Sequence, residues 1–324
     1  MKFIQIYLTF CIHYKNTELC LKKSKTIVET AIERVPDFGL LCQNIERNFK
    51  INGRSKSTLT NYQRCLAHLA LHYLCSPEQL DLESINDYLY FCKSQHNTPS
   101  DSFFKHTIYG LRTAYKVSGL TEKAINLPQI EGQKDLPIVL NKTEIKALLK
   151  APKYLKHRLI LGMLYGCGLR NYELCGLRLQ DVDFERKTVF IKHQKGKNDR
   201  IVPLSDLLQR GLKNYISTEN PEHFLFNSQV VKNGKKQGMT TNGVAWIVKE
   251  SRTKVNTHKK ITAHVLRHTY ATHLLEEGVN IMRLKDLLGH VRVETTLIYL
   301  HISKVDNTEA FSPLDTLYST NEKA

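Results

Sequence analysis

Through the first half of the chain, apolar residues recur every three or four positions, the spacing of one buried helix face. Leu59, Tyr62, Leu66, Leu69 and Tyr73 form one such stripe, with Ser57 or Thr58 placed to cap its start. Ile85, Tyr88, Leu89 and Cys92 form a second, and Phe104, Ile108, Leu111 and Tyr115 a third. No strand-like alternation interrupts them between Gly53 and Leu120, so this region is predicted to be a small helical domain. The pattern lapses from Asn126 to Leu140, where Pro128, Gly132 and Pro137 among few helix formers mark a linker. Helical spacing resumes with Ile145, Leu148 and Leu149 behind an Asn141/Glu144 capping-box variant. An apolar run from Leu159 to Tyr165 follows, ended by Gly166 and Gly168. The period then changes to two: Thr188 to Lys192 and Asp199 to Leu204 are β-rich runs joined by a turn, a hairpin with Lys195 at its tip. The fold class expected is mainly α with a small β-sheet (α+β), in two domains.

Charge narrows the partners. Lys and Arg number 47 against 31 Asp and Glu, a formal charge of +16 that favours a polyanion, nucleic acid first. Arg54, Lys56, Arg64, Lys105, Arg112 and Lys116 occupy polar positions of the helical half. They suit a phosphate-facing surface, with scattered solvated charge as the plainer reading. The eight cysteines form no Cys-x-x-Cys pair, so neither a zinc ribbon nor a disulfide framework is signalled, and a reducing cytoplasm is the expected setting. His264/His268 and His68/His72 have the spacing of zinc-binding helix pairs but lack the glutamate of a His-Glu-x-x-His site, and no Walker-type loop is present. No metal or cofactor is therefore expected. The apolar stretch Phe3 to Ile12 falls short of the roughly 20 residues of a spanning helix. No small-residue cleavage site precedes the Lys22–Lys25 cluster, so it reads as a short element or upstream extension and no membrane partner is expected.

Chemistry-bearing residues gather in the second half. Arg170 follows the Gly166-Cys167-Gly168-Leu169 break, with Glu173 three residues on, and Lys195 and Lys197 stand in the hairpin turn. Then come His264-Val265-Leu266-Arg267, Leu288-Gly289-His290, and Tyr299 nine residues later. Each alone has an ordinary packing or surface explanation, but the ordered series has no structural need behind it. Together these boxes resemble the tyrosine recombinase (phage integrase) family, and the likeness covers roughly Ser55 to Ser303.

The chemistry fits a phosphodiester. Attack builds negative charge on the non-bridging oxygens, which permanently charged guanidiniums match with paired hydrogen bonds; Arg170 and Arg267 suit that role. A phenol with pKa near 10 is about one part in a thousand ionised at neutral pH, so making the phenolate of Tyr299 costs roughly 4 kcal/mol. His264 is the expected acid/base group that offsets this. A sugar alkoxide leaving group needs a proton, and the resemblance makes Lys195 the general acid. His290 would hydrogen-bond a phosphate oxygen, and Glu173 would orient His264 or the arginines.

The resemblance implies five segments: residues 1–45, an N-terminal extension of no assigned role; 46–125, a helical, SAM-like core-binding domain; 126–140, a linker; 141–303, the catalytic domain; and 304–324, a tail whose Phe311, Leu314 and Leu317 suit exchange between subunits. It also implies 3′-phosphotyrosyl intermediates within a homotetramer on double-stranded DNA. Arg54, Lys56, Arg64, Lys105, Arg112, Lys197 and Arg200 are the expected DNA contacts. The first 45 residues match no accessory arm-site domain, so a compact Xer-like or mobile-element recombinase is the expected type, serving integration, excision or dimer resolution. Two alternatives stand beside it: DNA relaxation of the type IB topoisomerase kind, and a catalytically silent DNA-binding protein of the same fold.

Overall fold

A computed structural model of the protein describes residues 25–95, 98–129, 136–192, 199–232, 234–300 and 302. The apolar N-terminal stretch, Lys195 and Lys197, and the tail 304–324 lie outside the described residues. The chain divides between Lys134 and Asp135 into two compact units.

The first unit is helical: α1 (Ile27–Arg34), α2 (Phe38–Ile51), α3 (Lys56–Tyr73), α4 (Leu82–Ser94), α5 (Asp101–Val117) and α6 (Thr121–Ile125). The three apolar stripes become α3, α4 and α5. Helix α3 starts at Lys56, ahead of the expected Ser57 or Thr58 cap, because Ser55 already holds the extended backbone of an N-cap and its hydroxyl pairs with that of Ser57 at 2.6 Å. Helix α1 opens on a reciprocal capping box: the Glu29 N–H donates to the Thr26 hydroxyl, and the Thr26 N–H to the Glu29 carboxylate. Ala31, Phe38, Leu41, Ile45 and Phe49 join Leu66, Leu69, Ile85, Phe104 and Leu111 in one core. Each large side chain so buried contributes about 1.5–3 kcal/mol. The expected division at residues 45 and 46 thus falls inside α2, and residues 27–51 are core-forming helix rather than an appended extension. Leu127, at the start of the expected linker, is buried in the same core.

The second unit begins its core at Leu140 and runs through α7 (Lys142–Lys150), α8 (Leu155–Gly166) and α9 (Asn171–Gly176). The Asn141/Glu144 box is reciprocal as expected, with both hydrogen bonds at 2.8 Å. An antiparallel sheet follows, β1 (Val182–Asp183), β2 (Thr188–Ile191) and β3 (Arg200–Pro203), in order β1-β2-β3. Val189 pairs with Val202 and Ile191 with Arg200, and these four face inward while Ile201 faces out. After α10 (Asp206–Glu219) come a second hairpin, β4 (Asn227–Lys232) with β5 (Lys235–Gly238), and α11 (Thr241–Arg252). The chain then forms α12 (Ala263–Glu276), α13 (Ile281–Leu288) and α14 (Glu294–Leu297). Helix α12 is buried nearly all round, Arg267 included, so it is the central rod of this unit. Tyr299 joins Tyr270, Ala271, Leu275, Leu284 and Leu288 in a small cluster beside the main core. Mostly helical with small antiparallel sheets, the molecule has the expected fold class. Among the described residues no helix is long and apolar enough to cross a membrane.

Candidate active site

The site starts from a turn that only glycine allows. Gly168 has φ +59°, and a Cβ there would lie 2.4 Å from the Tyr270 ring. The turn sets Arg170 at the N-terminus of α9 and Glu173 in its first turn, where the carboxylate accepts the Arg170 backbone N–H at 2.8 Å. Glu173's side chain is fully buried and also accepts from Arg170 Nη1 at 2.8 Å and from Arg200 Nη1 and Nη2 at 2.8 and 2.7 Å. Arg267 Nη1 stands 4.0 Å away. Burial pushes the Glu173 carboxyl up, but hydrogen bonds and charge from Arg200, joined by Arg170, more than reverse this and hold it at about 2.

The same three guanidiniums close the end of α13. Its last carbonyls lack intrahelical partners and carry the negative end of the helix dipole. Arg200 Nε donates to Leu287 O at 2.8 Å, Arg267 Nη2 to Leu288 O, and Arg170 Nη2 to Gly289 O at 3.5 Å. Arg267 Nη1 donates to Gly168 O at 2.6 Å. Among the described residues one buried carboxylate faces three guanidiniums here, an excess of positive charge. Burial, aided by Arg170, lowers the Arg267 guanidinium to about 10, still charged at neutral pH.

Histidines and the phenol join this cluster. Arg267 Nη2 lies 3.2 Å from His290 Nε2. A guanidinium only donates, so Nε2 accepts, and the proton on Nδ1 donates to Thr296 Oγ1 at 3.0 Å. Burial and the cations Arg267, Arg170 and Arg200 push His290 down to about 3, keeping it neutral. Thr296 belongs to α14, which leads to Tyr299. Tyr299 is 2% exposed, and its hydroxyl lies 2.9 Å from His268 Nδ1 on α12. Burial raises the Tyr299 phenol, opposed by the charges of Arg267 and Arg170. His264, one turn before His268, is exposed and stacks on it with centroids 6.2 Å apart.

Arg170, Glu173, Arg267 and His290 therefore meet in one network, with Tyr299 tied to α12 next to Arg267. Glu173 holds arginines rather than His264. Arg200, expected to touch DNA, does not: at 7% exposure it faces inward, and both of its Nη atoms are engaged by Glu173. Position two from Val202 on a strand puts it on the core face, a period-two signal already present in the sequence. His268, absent from the expected set, had a signal too, lying four residues after His264 on the same helix face. In the first unit, Arg54, Lys56 and Arg64 are exposed and Lys105 partly so. Arg112 is half-buried, reaching Leu127 O at 3.5 Å and covering the Tyr109 ring.

Comparison with known proteins gives the family. Residues 139–305 match the phage integrase family. A tyrosine recombinase of Pseudothermotoga lettingae is 35% identical over 259 residues, covering 75% of this chain and 87% of that protein. Tyrosine recombinase XerA of Thermococcus onnurineus is 30% identical, covering 81% of this chain and 90% of that one. A structure of the Tn1549 transposon integrase in complex with a circular intermediate DNA shares the fold, with TM-score 0.64 and 21% identity over 80% of this chain and 94% of that one. The chain belongs to the phage integrase family and is a tyrosine recombinase, an enzyme of site-specific DNA recombination.

Proposed function

We propose that the second unit cuts and rejoins duplex DNA through a 3′-phosphotyrosyl link to Tyr299. The observation that carries this is the surplus of guanidinium over carboxylate among the described residues of the cluster, three against one, built beside the phenol. A scissile phosphate supplies the missing negative charge, and that charge grows in the transition state, so the arginines stabilise the transition state more than the ground state. Arg170 and Arg267 hold the phosphate, with Glu173 fixing them from behind. His264, which is exposed, is proposed to meet substrate as the acid/base group. A phosphate beside the arginines would offset the cations that, after burial, hold His290 neutral, so that His290 can take a proton on Nε2 and hydrogen-bond a phosphate oxygen. Lys195 is the proposed general acid at the leaving sugar oxygen.

The helical unit from Ile27 onward is the proposed core-binding domain, with Arg54, Lys56, Arg64 and Lys105 toward phosphates. A homotetramer on double-stranded DNA, with residues 304–324 exchanged between subunits, and a cytoplasmic setting complete the reading. Solved relatives in complex with DNA support the DNA partner. The curated relatives are named recombinases, which favours paired strand exchange over simple relaxation or silent binding.

The test uses a duplex selected from random-sequence DNA by the Tyr299→Phe protein, then nicked beside the cleavage position. Wild-type protein is expected to accumulate a covalent adduct on denaturing gels, and Tyr299→Phe to bind equally well and form none. An adduct persisting in the phenylalanine protein overturns the assignment.

A further inference from the structure

We infer that His268, through Nδ1, is the group that takes the proton from Tyr299 as the phenol attacks; this rests on Tyr299 being the nucleophile. The Tyr299 hydroxyl lies 2.9 Å from His268 Nδ1, whereas His264 is exposed and stacks on the His268 ring. The direction of the hydrogen bond follows from the two groups. A phenol is the stronger acid and an imidazole nitrogen the stronger base, so the O–H donates and Nδ1 accepts, leaving the His268 proton on Nε2. Nδ1 is then already aimed at the proton it would remove, at the distance general-base transfer requires.

His268 is also held where a base must be held. It follows Arg267 directly on α12, whose neighbours Leu266, Arg267 and Thr269 are all buried. Its charged and titratable surroundings are Arg267 and His264 on its own helix, Tyr299 after α14, and His290 after α13. Burial, then His264 and Arg267, push it down to about 4, so it stays neutral with its lone pair available. A phosphate bound to the arginines offsets that cationic field and raises the basicity of Nδ1 when substrate is present. The step balances. The Oη–H bond breaks with its proton passing to Nδ1, the Oη–phosphorus bond forms, and the phosphorus–oxygen bond to the leaving sugar breaks, its electron pair remaining on that oxygen and being protonated by the general acid. Rejoining runs the same transfers backward and returns the proton to Tyr299.

Single-turnover adduct formation on the nicked, selected duplex is measured against pH for wild type, His268→Ala, His268→Asn and His264→Ala, with DNA binding checked by gel shift. Loss of a general base is expected to slow His268→Ala about 10²-fold. Its rate should climb about tenfold per pH unit across the range where wild type levels off, because the phenol must then ionise unaided. Asparagine keeps an acceptor near the Nδ1 position but is not basic, so His268→Asn should remain slow. A rate for His268→Asn within threefold of wild type, or a slow His268→Ala whose pH profile parallels wild type, overturns the inference. The same holds if His264→Ala alone changes the profile. Tyr299→Phe runs alongside: an adduct there sinks the nucleophile assignment, whereas no adduct there with a normal His268→Ala sinks only the role of His268.

Discussion

Replacing Glu173 with glutamine keeps the shape of the side chain and removes its charge. In the folded protein the carboxyl titrates at about 2, against an ordinary value of 4.5. The difference, 4.5 − 2, at 1.36 kcal/mol per pH unit is worth about 3 kcal/mol of stability. The folded pKa lies below the unfolded one, so this contribution is fully present above the unfolded value and is lost as pH falls toward the folded value. Linkage leaves about 2 kcal/mol at about pH 3.5. Glu173→Gln is therefore expected to lose about 3 kcal/mol in urea denaturation at neutral pH, with the deficit against wild type narrowing by roughly a third at about pH 3.5. The loss leaves three cations facing one another without the carboxylate, so adduct formation should fall as well. A variant within about 0.5 kcal/mol of wild type at neutral pH, or a deficit unchanged in acid, would refute the view that this carboxylate holds the arginines by charge.

Arg200→Ala is expected to cost about 3–5 kcal/mol in chemical denaturation, because it removes the main partner of the buried Glu173 carboxylate. The slope of log DNA affinity against log salt should match wild type; a slope shallower by about one would return Arg200 to the phosphate contacts. Gly168→Ala combines a left-handed backbone with a Cβ 2.4 Å from Tyr270, whereas Gly53→Ala has the same φ of +59° and open space. In thermal denaturation the Gly168 variant should lose roughly 2 kcal/mol or more and the Gly53 variant about 1; equal losses would show that contact with Tyr270 is unimportant.

The site was largely legible because its residues belong to short local patterns: Arg170 with Glu173 spans one helical turn, and Arg267 sits in a fixed box. What the sequence hides is which way a side chain faces. Arg200 beside a hairpin turn reads as surface charge until the inward positions of Val202 and Ile191 fix the face of the strand. By spacing alone His268 reads as half of a metal pair with His264, and its partner Tyr299 is 31 residues away, a contact no local pattern reveals. Residues 27–51 carry local helix signals, the Thr26/Glu29 capping box and the helical spacing of Leu41, Ile45 and Phe49, but no module pattern that ties them to the helices after them.

Leu287, Leu288 and Gly289 each receive one guanidinium, from β3, α12 and the start of α9 in turn. Successive positions on a helix point about 100° apart. Inserting or deleting one residue in α13 would rotate all three oxygens off their donors at once and carry His290 away with them. The length of this short helix is thus predicted to tolerate no change, while the β4–β5 hairpin, outside the network, is free to lengthen or shorten.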